Sequence, residues 1–443
     1  MSSYKKSSVL LMVTLCFVLL VSACGNQGNS NSTANSSSNA TSKSDNATNS
    51  TNSNSKDEKI ALTLMIAWAD DAAAKLEEEL IKEHFADKYD ITFKTVDNNI
   101  AQTIKTTIAS GNPVDLAFYW TDAMDAFVDA DMALDLTPYL EANNGEWKDT
   151  FLDGSLDVAT YNGKIYAVPS VPVYPMIEAN KELLDQAGVT ISDEPTWEEF
   201  VTVLATVKEK LGIIPFGLNS SWANWPVREN LMSIWPEEEQ VTAWSNGEIP
   251  FTDPLVVEAF DEVKNLYDQE YVYPGKGALT VTLEQINVAW KAGKIAFKAD
   301  VNFLAPQSIK DAGLENVQIL SWPRMGPRNN VLAAGANGYM IPANVKHPEA
   351  SIEVLKFLTS PEVLQHRADN NQPVAVKGVT SNDPNYELYS KDVVKAYSQK
   401  EITLLSPKID EYIANKVPAN YIFEGKAALE ELEKLRLEAV SAK

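Results

Sequence analysis

The sequence predicts an α/β fold built as two lobes, and three observations carry that prediction. Where the folded part begins, short apolar runs of strand length alternate with amphipathic helices, the pattern of a parallel sheet covered on both faces. The chain has 443 residues, and about 385 of them follow a low-complexity stretch, more than a single core usually serves. Its two cysteines, Cys16 and Cys24, both precede that body. The body therefore relies on core burial rather than disulfides, which a domain of this size can supply. It also lacks the thiols for cysteine nucleophiles, zinc–cysteine sites or iron–sulfur clusters.

A leader stands ahead of the body. Lys5 and Lys6 precede an almost unbroken apolar run from Val9 to Val21, followed by Ser22-Ala23-Cys24-Gly25. A charged start, an apolar middle and small residues at the end form the layout of a secretory signal. The run is too short for a membrane span, which needs about 20 residues. From Gly25 to about Lys56 the chain is almost wholly Ser, Asn, Thr, Ala and Gly. That composition cannot offset the entropy of ordering and reads as a flexible tether. The 61 acids and 37 bases give a net charge of −24, and loss of Lys5 and Lys6 with the leader takes it to about −26. Such a balance argues against nucleic acid or an anionic lipid surface as partner.

In the body, Glu58 to Trp68 reads as a first strand. Ala72 to Tyr89 follows as a helix with Leu76, Leu80, Ile81 and Phe85 on one face. Ile91 to Val96 is a second strand and Asn99 to Ala109 a second helix. Gly111-Asn112-Pro113 breaks the pattern before a third strand, Val114 to Tyr119. Ligands of such sheets sit beyond the carboxyl ends of the strands, where Trp68 with Asp70 and Trp120 with Asp122 both fall. Ala123 to Ala130 is helical, and Leu134 to Leu140 starts another helix. Tyr161 to Pro169 is a hairpin around Asn162-Gly163. Asn180 opens a helix that ends at Gly188, and Thr196 caps one starting at Trp197, with Glu199 three residues on. Strand-like Ile213 to Leu218 leads into Asn219-Ser220-Ser221-Trp222-Ala223-Asn224-Trp225, and a strand Lys294 to Phe297 into Asp300-Val301-Asn302. Asp410 to Val417 and Glu424 to Val440 read as late helices.

Several stretches share a further pattern: Ser110-Gly111-Asn112-Pro113-Val114-Asp115-Leu116, Leu134-Asp135-Leu136-Thr137-Pro138-Tyr139, Tyr161 to Pro169, Asn180-Lys181-Glu182-Leu183-Leu184, Trp290 to Phe297, Gly335 to Pro342, and Pro348 to Glu362. In this order they resemble the extracellular solute-binding protein family 1, the sugar-binding components of bacterial ABC importers. The resemblance implies a two-lobed, periplasmic-binding-protein-like (type II) fold with hinge strands and a ligand cleft between the lobes. Its chain crosses between lobes near Val171 to Tyr174, returns near Trp322 to Val331 and crosses again near Asn370 to Pro373. Residues 58–172 with 325–369 then form one lobe, and 173–324 with 370–443 the other. Val21-Ser22-Ala23-Cys24 resembles the lipobox of bacterial lipoproteins, which implies removal of residues 1–23 and a lipidated Cys24. The partners implied are a carbohydrate ligand, the permease subunits of an ABC transporter and the outer face of a cell membrane, met through the lipid anchor by a monomer with no cofactor. One departure stands out: Met176-Ile177-Glu178-Ala179 occupies the place where members often carry Tyr before the Asn-Lys pair.

Sugars offer an apolar ring face and a rim of hydroxyls, so binding them needs flat aromatics and side chains such as Asp or Asn. The candidates are Trp68, Asp70, Trp120, Asp122, Tyr174, Trp222, Trp225, Asp300, Asn302, Phe303 and Asn337. Phe303 enters because the family supplies a ligand-facing loop in this region. Trp147, Trp197, Trp235, Trp244, Trp290 and Trp322 read as packing. A polysaccharide hydrolase or lyase is the alternative, with Asp70, Asp122 and Asp300 as the carboxylates such chemistry pairs. No nucleophile-elbow, zincin or P-loop motif accompanies them, and His84, His347 and His366 are scattered. A binding protein for a non-sugar solute, or for signalling, is the other alternative.

Overall fold

A computed structural model describes residues 59–67, 72–96, 99–328, 336–393 and 406–442. Cys24, Trp68 and Asp70 lie outside the described residues. Glu58 to Lys443 form one compact unit, within which two sheets each carry their own core.

In the first lobe, β1 (Ile60–Ile66) lies parallel to β2 (Tyr89–Thr95) and β3 (Leu116–Trp120). Helices Ala72–His84 and Ile100–Ala109 connect them. Five of β1's seven residues are buried, as expected of a parallel strand covered on both faces. The first helix stops at His84, and Tyr89, expected at its end, opens β2. Asp115 shows why the turn before β3 needs its acid. Its carboxylate accepts a hydrogen bond from Thr63 N at 2.8 Å, and its own N–H donates to Thr63 O at 2.8 Å. Burial raises the Asp115 carboxyl above its ordinary range, against the pull of the Thr63 N–H.

A two-strand hairpin of β4 (Thr160–Tyr161) and β5 (Lys164–Ile165) follows. Asn162 (φ 51°) and Gly163 (φ 77°) supply the left-handed turn that matches strand twist. β6 (Ala167–Pro172) then enters the first sheet, whereas β7 (Pro175–Asn180) belongs to the second. The second sheet has the order β10-β7-β9-β8, with β8 (Phe216–Gly217), β9 (Phe297–Val301) and β10 (Val317–Ser321). The first has the order β2-β1-β3-β11-β6, completed by β11 (Ala336–Met340).

Register brings the working ends together. β6 runs parallel to β3 because both are antiparallel to β11, while β9 and β10 run antiparallel to β7 and β8 parallel to β9, so those three share one direction. The carboxyl ends of β3 and β6 in one lobe, and of β8, β9 and β10 in the other, therefore converge on the passage at Val173 and Tyr174.

The last passage lies later than Asn370–Pro373. Val374, Val376 and Val379 pack into the first lobe's core, and the backbone of residues 375–377 bonds to Ser170, Leu152 and Thr150. Helix Tyr386–Ser390 follows, with Tyr389 and Val393 in a small cluster beside Tyr174 and Met176. Helices Pro407–Asn415, Val417–Glu424 and Ala427–Ser441 close the described chain, with Ile409, Ile413, Val417, Tyr421 and Leu432 packed into the second lobe's core. Among the described residues no helix is long and apolar enough to cross a membrane.

Candidate functional site

Three predicted residues meet at the carboxyl edge of the first lobe. Trp120 ends β3 half-buried and pairs in register with Asn337 of β11. Asp122, exposed, accepts a hydrogen bond on Oδ1 from Ala336 N at 3.2 Å. The turn between Trp120 and Asp122 is held by Tyr161, which opens the hairpin stretch but is not among the candidate binding residues. Its hydroxyl accepts from Met124 N at 2.9 Å and donates to Asp122 O at 2.8 Å. Burial raises the Tyr161 phenol, so it stays neutral and keeps both roles.

Asn337 is placed by a close backbone approach. A Cβ on Gly338 would sit 2.2 Å from Val168 O and 2.5 Å from Thr121 Cγ2, so only glycine lets β11 settle between its neighbours there. The β11–β6 register shifts between Asn337 and Gly338, a bulge of the kind that re-aims a side chain. Asn337 is 6% exposed, and its buried Oδ1 has no hydrogen-bond partner. It lines a cavity of about 50 Å³ together with Phe118, Ser170, Tyr339, Glu77 and Arg367 of the first lobe. Phe303, whose other contacts are with the second lobe's core, lines the same cavity.

The second lobe contributes a layered aromatic group. Trp222 is half-buried and stacks on Trp225, with ring centroids 4.5 Å apart and planes 9° apart. Trp225 is buried and meets Trp322 edge-on at 6.2 Å. Trp225 thus acts from beneath, supporting the ring that reaches solvent, and Trp322, expected as packing, braces it. Asn219 holds the turn by accepting from Ser221 N at 3.2 Å.

Asp300, Asn302 and Tyr174 are placed differently from expectation. The strand expected over Lys294–Phe297 in fact runs from Phe297 to Val301, which carries Asp300 inside. Lys298 is fully buried and forms ion pairs with Asp300 and, at 3.4 Å, with Glu178 of β7. Burial alone would depress the Lys298 ammonium, but Asp300 and Glu178 outweigh it and hold it above its ordinary value. Burial pushes the Glu178 carboxyl well above its ordinary range, with Lys298 opposing. Tyr174 is buried and donates to Tyr389 O. Asn302, also fully buried, accepts from Tyr174 N at 3.1 Å and donates to Pro172 O at 3.0 Å. It fastens the end of β9 to the passage between lobes. Where the family pattern has Tyr before the Asn-Lys pair, this chain places Glu178 in the buried strand β7, paired with Lys298. Among the described residues no group of three His, Cys, Asp or Glu side chains is arranged to hold a metal ion.

Known proteins resemble this arrangement. A binding protein of Brucella abortus (strain 2308) is 25% identical over 264 residues, covering 58% of this chain and 61% of that protein. An uncharacterized ABC transporter extracellular-binding protein of Pyrococcus horikoshii is 24% identical over 62% of this chain and 63% of its own length. The chain thus spans about three fifths of the length of the curated relatives it matches. Among solved structures, a chitin oligosaccharide binding protein superposes with a TM-score of 0.72 at 20% identity, over 86% of this chain and 99% of the other. The GacH receptor of Streptomyces glaucescens, solved unliganded and with acarbose, gives 0.70 at 19%, over 87% and 99%. These likenesses show the two-lobed fold. The model of the bacterial extracellular solute-binding protein family matches residues 68–365, and the chain belongs to that family.

Proposed function

We propose that this protein is the carbohydrate-binding component of an ABC importer, capturing an oligosaccharide between its lobes and presenting it to a membrane permease without altering it. The observation that carries the reading is the buried Asn337 Oδ1, left without a partner in a cavity that both lobes line, next to Trp120 in the sheet. A buried acceptor without a donor is costly, and a hydroxyl-bearing ligand would satisfy it. Trp120 on one lobe and Trp222 over Trp225 on the other offer flat surfaces for more than one sugar ring. The solved relatives include proteins named for chitin oligosaccharide and acarbose, which supports the same class. Closure follows if the ligand binds the closed arrangement better than the open one.

Asp300 bears on the hydrolase alternative. At 1% exposure and paired with Lys298, it is withdrawn from the set of carboxylates that cleavage would need, which favours binding without chemistry. The lipobox-like Val21-Ser22-Ala23-Cys24 and the tether behind it support a protein held by a lipid on the outer face of the cell membrane, where it meets its permease. The multiple acyl chains of a lipoprotein cysteine would give stable anchoring, which one chain does not.

The test is a thermal-shift and calorimetric screen of the protein against chito-, xylo- and malto-oligosaccharides. A ligand that binds only the folded state raises the melting temperature by mass action. The expected result is a rise with one sugar class and recovery of that sugar uncleaved. Cleavage would establish the enzyme, and a shift from a peptide or metal alone would overturn the carbohydrate.

A further inference from the structure

The loop that carries Phe303 is gripped from two directions. On one side Asn302 bonds to the passage between the lobes. On the other, Gln372 Nε2 donates to Phe303 O at 3.1 Å. Gln372 follows helix Pro361–Asp369, whose Val363, Leu364 and Ala368 are buried in the first lobe's core. The bond therefore joins the two lobes, beside the backbone passages, the Asn302–Pro172 bond and the small cluster in which Ala336 and Ala375 of the first lobe meet Met176 and Ile319 of the second.

Gln372 is not a loose surface side chain. Its N–H donates to Arg367 O at 2.8 Å, and its Oε1 accepts from Arg367 Nη1 at 3.2 Å. Arg367 in turn makes a two-pronged pair with Glu77 of helix Ala72–His84, at 2.6 and 2.9 Å. Glu77 is 5% and Arg367 9% exposed. A bidentate guanidinium–carboxylate pair fixes orientation as well as distance. The amide of Gln372 has its oxygen committed to Arg367, so its NH2 is aimed at Phe303 O.

We propose that Gln372 is a positioning residue, an interlobe latch that couples the Phe303 wall of the cavity to the angle between the lobes. Rotation of one lobe against the other stretches the Gln372–Phe303 bond while leaving the Glu77–Arg367–Gln372 chain intact within the first lobe. The bond thus stabilises the present arrangement relative to any other, and shifts the populations by the bond's own worth. A net hydrogen bond of ordinary strength corresponds to between about twofold and tenfold in that equilibrium. The inference rests on the two-lobed binding-protein reading, but its test needs no ligand.

The test is the distance distribution between spin labels on Lys94→Cys and Glu209→Cys, both exposed and one on each lobe. The full chain also carries Cys16→Ser and Cys24→Ser. Gln372→Glu keeps an acceptor for Arg367 but removes the donor to Phe303 O; Gln372→Ala removes both. In both variants the population at the parent's separation should fall, and the ratio of populations should change by about twofold to tenfold, with Gln372→Glu melting near the parent. An unchanged distribution in both variants overturns the latch. So does a lowered melting temperature with no change in distance, because that marks Gln372 as packing alone. If no sugar binds the protein, the distances still decide the latch by themselves.

Discussion

Replacing Lys298 with Met would strand a buried carboxylate, and the size of the loss follows from the surroundings. Met fills a similar space, so the change is chiefly the removal of one ammonium. Lys298 and Glu178 are fully buried and Asp300 is 1% exposed, so water cannot replace the missing cation. Removing one partner of a buried ion pair costs about 3–5 kcal/mol. Glu178 is already pushed toward its neutral form by burial, leaving Asp300 as the main uncompensated charge. The loss therefore belongs at the low end, about 3 kcal/mol, or roughly 6–12 °C in melting temperature for a lobe of this size. Urea unfolding at several pH values is the assay. In the parent, Lys298 is raised above its ordinary 10.5. Its contribution is complete below that value and is lost as pH rises through the folded-state value. A deficit under about 1 kcal/mol at neutral pH, or one that grows as pH rises above 10.5, would refute the reasoning.

Four further outcomes can be measured directly. Tyr161→Phe keeps the ring but strands the buried Met124 N–H, costing about 1–3 kcal/mol in unfolding free energy and weakening ligand binding through the loosened Trp120 turn. Gly338→Ala forces a Cβ against Val168 O and should cost at least about 1–3 kcal/mol, read as a lowered melting temperature. Trp120→Ala and Trp222→Ala should each weaken sugar binding about tenfold, or ~1.4 kcal/mol, by calorimetry, with Trp222→Ala changing stability less than Trp225→Ala. Cys24→Ser should release the protein from membranes into the medium, and its retention in a membrane fraction would defeat the anchor.

Much of the fold was legible because it rests on local rules. The Asn162-Gly163 turn, the Thr196 cap that accepts from Glu199 N at 3.1 Å, and the buried Trp197 and Trp290 follow from short-range chemistry. The capping box was legible only by half, since the Glu199 side chain turns to Ser192 N instead. Strand bounds failed where charge sat inside. Lys298 and Asp300 in β9 read as a polar loop, because nothing local announces that Glu178, 120 residues earlier, completes their neutralisation. The same distance hid the Glu77–Arg367 pair, 290 residues apart, and Tyr161 beneath the Trp120 turn. Candidate positions at strand ends were readable from topology. Which of them face inward was set by pairings across the sheet that alternation alone does not give.

The convergence of strand ends on the Val173–Tyr174 passage has a consequence for how this protein can change. Trp222 and Phe303 stand in two separate connections, whereas Trp120 closes β3 and Asn337 lies in β11. A substitution in either loop leaves the hydrogen-bond ladders and the other loop as they were, so a lineage can exchange one of these aromatic surfaces at a time while the scaffold stays folded. Asn337 is the exception. Tied to Gly338 and the bulge in β11, it belongs to the sheet itself, and its unpartnered Oδ1 is inherited with the fold.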